Sequence, residues 1–256
     1  MKGWKPMRID ILTLFPDTVG DVLSESILGR AQERGYIAIG THQIRDYTVN
    51  KQNQVDDYPY GGGRGAVMQA DPLYRCWEAV KGDREVHTIY MSPCGKTFRQ
   101  EDAIRLSKLE NLILVCGHYE GIDQRFIDEC VDEEISLGDF VLTGGEIAAM
   151  AVTDAVCRMV PGVLADPECF EDESHYSGML EYPQYSRPAV WHGREVPAIL
   201  LSGNHEKVRQ WRRKQALRRT RERRPDMYEK LDLSSKQDKK LLKEMEQEDL
   251  EAASAE

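Results

Sequence analysis

Two apolar periods alternate along the N-terminal part of the chain. Residues 8–14 (RIDILTL) form a run of branched side chains that predicts a strand closed by Pro16, and 17–34 follows as a helix with Gly35 as its stop. A short strand is predicted over 36–42. Asp71 and Pro72 supply the N-cap and first-turn proline of a helix running to about Val80. The runs 86–92 (VHTIYMS) and 111–116 (NLILVC) read as buried strands separated by a polar helix over 99–109. A helix over 123–131 and a strand over 134–142, interrupted at Gly138, complete the alternation. Strands alternating with helices predict an α/β fold with a mostly parallel sheet covered on both faces.

The next element, 146–160, follows Gly144 and Gly145 and is apolar almost all round, so it belongs in a core or against a second subunit. Residues 165–177 (ADPECFEDESHYS) are acidic and lack apolar periodicity, which predicts a mobile linker. Beyond them lie a proline- and aromatic-rich stretch and a helix over 204–221. The expected organisation is a domain at 1–164, a linker at 165–177, and a small helical domain at 178–256 that ends in an acidic tail.

Composition narrows the class. With 41% apolar and 30% charged residues among 256, the chain can bury a core. No run approaches the ~18 apolar residues of a membrane span, and MKGWKPMRID does not open a signal peptide, so a cytoplasmic protein without a membrane partner is expected. The cysteines at 76, 94, 116, 130, 157 and 169 form no CxxC pair, which predicts reduced thiols and no metal cluster. The net charge of −10 hides a basic segment. From Glu206 to Arg224 ten basic residues face two acidic ones, a local +8 inside an otherwise acidic chain. Such a segment is the footprint expected of polyanion binding. From Gln237 onward seven acids against three bases predict a solvated acidic finish.

Candidate chemistry gathers at predicted strand ends. The glycine-rich segment YPYGGGRG (58–65) lacks the Gly-Lys-Ser/Thr of a phosphate loop and reads as a surface loop able to close over a ligand. Three further segments are better placed: YMSPCG (90–95), CGHYEGID (116–123) and LGDFVLTGGE (137–146). Ligands of open α/β sheets bind outside the carboxyl ends of the strands, where glycines admit close approach of main chain. Glu120, Asp123, Asp139 and Glu146 lie in or beside these turns.

The strings LVCGHYEGID, ISLGDFVLTGGE, DDYPYGGGRG, PQYSRP and VPAILLSGNH resemble those of the bacterial tRNA (guanine-N1-)-methyltransferases, of the knotted SPOUT class, over residues from about Met7 to about Asp226. The resemblance implies a SPOUT-type parallel sheet with a C-terminal trefoil knot, followed by a small, mainly helical tRNA-binding domain. It implies methyl transfer from S-adenosyl-L-methionine to N1 of guanosine 37 of tRNA, a homodimer with shared active sites, and a possible need for magnesium. By similarity the methyl donor lies against Gly117 and Leu137, Gly138, Asp139, Phe140, Val141 and Leu142, with Tyr90, Met91, Ser92 and Pro93 also lining its pocket and Gly144 approaching it closely. Asp56, Glu120 and the glycine loop with Arg64 match positions tied to the target base and tRNA. Lys207, Arg209, Arg212, Arg213 and Arg218 are the expected phosphate contacts.

Arg158 matches an arginine near the guanine, although an Asp154–Arg158 pair at i,i+4 is an ordinary alternative. The chain departs from the family at the general base, where an aspartate before a serine is usual. Counting from the Pro-Gly-Val-Leu turn places Glu173 there, with Asp172 one residue earlier, so either carboxylate is a candidate. Guanine N1 carries a proton at neutral pH, so a carboxylate base and a donor to O6 are the groups the reaction needs. Two other readings stay open: a tRNA-binding protein of this fold without catalysis, and a SPOUT enzyme acting on another RNA.

Overall fold

A computed structural model describes residues 5–164 and 173–254 of the chain. The chain divides into two compact units between Pro167 and Glu168. Strands β1 (Met7–Thr13), β2 (Ile37–Gln43), β3 (Asp56–Asp57), β4 (Val67–Met68), β5 (His87–Thr97), β6 (Asn111–Cys116) and β7 (Glu133–Ser136) belong to the first unit. Five of them form a parallel sheet of order β2-β1-β6-β5-β7, while β3 and β4 make a small antiparallel pair. Its helices are α1 (Pro16–Leu23), α2 (Ser26–Glu33), α3 (Ala70–Lys81), α4 (Gln100–Leu106), α5 (Gln124–Cys130) and α6 (Glu146–Arg158).

Alternate residues of each central strand feed opposite faces. Ile9, Ile11, Ile89, Leu112 and Leu114 pack with apolar residues of α1, α2, α4 and α6. Leu12, Ile113 and Val115 pack with Leu73 and Cys76 of α3 and Phe126 and Cys130 of α5. The α/β, parallel-sheet expectation holds, and its two covered faces follow from strands that are apolar on both sides.

Three local expectations need correction. The helix expected over 17–34 is two helices, because Ser26 takes a positive φ and the chain turns at Ser24 and Glu25. Pro16 opens α1 instead of merely closing β1. The strand expected over 134–142 stops at Ser136. Ser136 Oγ accepts from the Gly138 amide and donates to the Gly138 carbonyl, and the Phe140 amide donates to that carbonyl too, which turns the chain out of the ladder.

The second unit contains strands β8 (Val190–Trp191) and β9 (Arg194–Glu195), paired antiparallel, and helices α7 (His205–Arg223), α8 (Pro225–Tyr228) and α9 (Lys236–Ala253). Met179, Leu217, Leu241 and Met245 form its core. The acidic finish forms helix α9, which buries Leu241 and Met245, keeps Glu246, Glu248, Asp249 and Glu251 exposed, and pairs Asp238, Glu244, Glu248 and Asp249 with cations of α7. Residues 165–172, most of the expected linker, lie outside the described residues. Residues 173–177 take part in turns, with the Glu181 amide donating to Ser174 Oγ and the His175 amide to the Met179 carbonyl.

Candidate active site

A cavity of about 430 Å³ opens in the first unit at the carboxyl ends of β5, β6 and β7. The bulge in β5 builds one wall. Met91 and Lys96 both pair with Ile135, so residues 92–95 leave the ladder and project from it. The Cys94 amide donates to Ser92 Oγ and holds this turn. The loop after β6 supplies Gly117, His118 and Glu120, and the loop after β7 supplies Leu137, Phe140, Val141, Leu142 and Gly144. Val141 is 82% exposed in the chain. An apolar run read as a strand is thus a loop whose side chains face the cavity and solvent.

Most residues expected at a methyl-donor site come together here. Tyr90, Met91, Ser92, Pro93, Gly117, Leu137, Phe140, Val141, Leu142 and Gly144 all line the cavity. Gly138 and Asp139 do not: Gly138 forms the turn behind Phe140, and Asp139 is exposed. Burial pushes the Tyr90 phenol up to about 12, reinforced by Glu134 and Cys94, so it stays a neutral hydroxyl. Cys116, beneath the cavity, is pushed well above its ordinary value by burial.

Of the residues expected near a nucleotide substrate, Glu120 and the glycine loop meet. The Glu120 amide donates to the Ala66 carbonyl, and a Cβ at Gly65 would lie 2.5 Å from the Glu120 carboxylate. Arg64 is exposed in that loop, and Asp56 is half-buried in β3. Asp123 serves the fold: it caps α5 by accepting from the Arg125 amide, and the Arg125 side chain holds its carboxyl below the usual carboxylate range. Arg158 lies half-buried in the last turn of α6. Glu173 is half-buried in the second unit, and Asp172 lies outside the described residues.

The basic helix α7 is partly neutralised by α9. Arg213 donates to Asp238, Lys214 to Glu248, Arg218 to Glu248 and Asp249, and Arg221 to Asp249. Arg209 pairs with Glu206 of its own helix, and Arg212 lies 4.8 Å over the Tyr182 ring. Lys207, in the first turn, is exposed.

One constellation escapes the sequence. Thr13 at the end of β1, His118 after β6 and Glu146 at the start of α6 form a hydrogen-bonded chain. Thr13 and Glu146 are 133 residues apart. An acid directly after a Gly-Gly turn was the visible signal, and it named no partner.

Comparison with known proteins adds a family. Residues 7–230 match the sequence profile described as tRNA (Guanine-1)-methyltransferase TrmD. The tRNA (guanine-N(1)-)-methyltransferase of Clostridium perfringens is 58% identical over 237 residues, 93% of this chain and 99% of that protein. Proteins of the same name from Clostridium acetobutylicum and Ruminiclostridium cellulolyticum are each 52% identical, covering 94% and 88% of this chain and 99% and 97% of their own lengths.

Proposed function

The chain belongs to the tRNA (guanine-1)-methyltransferase family, and from that premise we propose that it transfers a methyl group from S-adenosylmethionine to N1 of guanosine 37, next to the tRNA anticodon. The observation that carries the reading is the cavity itself, walled by the same strand-end segments that carry the family's strings.

S-adenosylmethionine fits this cavity. Its volume of about 430 Å³ lies in the range of small-molecule sites, and its wall mixes apolar side chains such as Leu137 and Leu142 with main-chain polar groups. At Gly144 a Cβ would collide with the His118 ring and lie 2.7 Å from the Glu146 carboxylate, so the wall there is bare backbone by necessity. When bound, the cofactor supplies a methyl group made electrophilic by its sulfonium. The protein's share is then positioning and proton management. Residues 90–93, Gly117 and 137–144 hold the donor. Asp56, Arg64 and Glu120 hold the unstacked base, whose extrusion from a loop costs little. Glu173 or Asp172 accepts the N1 proton, and Arg158 donates to O6 as negative charge grows there. Magnesium finds no cluster of three or more His, Cys, Asp or Glu among the described residues, and no step runs through it.

The finer architecture is part of the same proposal. The trefoil knot falls between β6 and α6, and α7 brings cations to tRNA phosphates. Two chains form the working enzyme, as the family resemblance implies, and Ile147, 57% exposed on α6, offers an apolar contact to a second copy. No helix among the described residues is long and apolar enough to cross a membrane, and the tRNA substrate puts the enzyme in the cytoplasm. Incubation with methyl-labelled S-adenosylmethionine and unmodified tRNA transcripts tests the reading. Label must appear as 1-methylguanosine after digestion; tRNA binding without label transfer would favour the non-catalytic alternative.

A further inference from the structure

Behind the cavity wall, Glu146 has both carboxylate oxygens engaged. Oε1 accepts from the Thr13 hydroxyl at 2.6 Å, and Oε2 lies 2.8 Å from His118 Nε2. Thr13 Oγ1 itself accepts from the Phe15 amide at 2.9 Å, so its single proton is directed at Glu146. Glu146 is buried, and its two partners come from the last residue of β1 and from the loop after β6. The carboxylate therefore ties the end of β1 and the β6–α5 loop to the first turn of α6.

The chemistry of the donors fixes the histidine. An ionised carboxylate only accepts, so His118 Nε2 must carry a proton, and in the neutral ring Nδ1 is then the bare acceptor. The ring is confined from other sides as well. The Phe15 ring lies 5.1 Å from it, centroid to centroid, and Gly144 leaves no Cβ in its place. The His118 amide donates to Met68 Sδ at 3.2 Å. His118 lines the cavity, whereas Glu146 stands behind it.

We propose that Glu146 is a positioning residue for the methyl-donor site: it locks His118 as the Nε2–H form and thereby fixes the Gly117–Gly121 stretch of the cavity wall. The inference rests on the reading of the cavity as an S-adenosylmethionine site. A bare carboxylate at the start of a helix would be stabilising without any partner; here both of its oxygens are matched to side chains of two separate elements, one of which lines the cavity.

Nitrogen-15 spectra of the histidine ring at pH 8, assigned with His118→Gln, test the lock in the unmodified chain. A single Nε2-protonated form is expected; an Nδ1-protonated or rapidly averaged ring overturns the proposal. In Glu146→Gln one acceptor oxygen becomes a donor, so the ring signals should average and S-adenosylmethionine affinity should fall about tenfold, the loss of one charge-assisted hydrogen bond. Thr13→Val should weaken affinity less, and Thr13→Ser should restore most of it. An unchanged affinity with a still-locked ring in Glu146→Gln overturns the positioning role. If the unmodified chain binds no S-adenosylmethionine while its His118 is locked, the reading of the cavity fails and the histidine assignment stands.

Discussion

Gly65 sits against Glu120. At a φ of +83° the glycine brings the loop so close that a Cβ would lie 2.5 Å from the Glu120 carboxylate. A loop carrying Arg64 and the exposed rings of Tyr58 and Tyr60 is thereby held beside an acid on the cavity rim.

Gly65→Ala should separate them. The left-handed backbone strains any residue with a Cβ by about 1–3 kcal/mol, and the clash pushes the loop from Glu120. The KM for tRNA should rise about tenfold or more, with far less change in S-adenosylmethionine affinity measured by calorimetry. Equal losses for both ligands would assign the contact to the donor pocket instead.

Asp10 is the fold's electrostatic anchor. It is fully buried in β1 and accepts from Arg8, His42 and Arg84. Although burial opposes its ionisation, these partners hold its carboxyl down at about 2, against an ordinary value of 3.8. A depressed carboxylate stabilises the fold above its unfolded value and loses that contribution as pH falls toward 2. The gap corresponds to about 2 kcal/mol. Asp10→Asn should cost about 3 kcal/mol in urea unfolding at pH 7, because the guanidinium groups lose their charge partner. The deficit should shrink between pH 4 and pH 2.

The pairing of α7 with α9 sorts the cations. Arg212→Ala should weaken tRNA binding more than Arg218→Ala, since Arg218 already faces Glu248 and Asp249. Replacing Glu248 by Gln and Asp249 by Asn frees Arg218 and Arg221, while Lys214 keeps Glu244. Affinity at low salt should then rise, and the salt slope should steepen by about one for each cation recruited to a phosphate. These exposed pairs are worth only ~0.2–1 kcal/mol each, so the fold should survive.

The proton acceptor is tested at the chemical step. Glu173→Gln or Asp172→Asn, each still binding both ligands, should slow single-turnover methylation by ~10²-fold. Wild-type rates in both variants would remove the linker carboxylates from the mechanism.

Where periodicity speaks to a single environment, the sequence was legible. β6 (NLILVC) is apolar on both faces because it is central, and its bounds match the expectation. The segment 137–142 has the composition of a strand but lies in a loop, because its apolar side chains line a cavity instead of a core. Helix α9 was hidden for the opposite reason: Leu241 and Met245 form a narrow buried stripe among charges that pair with another helix. The residues that line the cavity were readable as strings near strand ends. The Thr13–Glu146–His118 chain was not, since only the parallel sheet brings its members together.

The proposed reaction is methyl transfer to guanine N1 beside the anticodon. The direct measurement is mass-spectrometric mapping of tRNA transcripts after incubation with S-adenosylmethionine, using one transcript with guanosine at position 37 and one with adenosine there. A single added methyl on N1 of guanosine 37, absent from the adenosine transcript, is the predicted result. Methylation elsewhere in both transcripts, or none in either while the donor binds, would rule this reaction out.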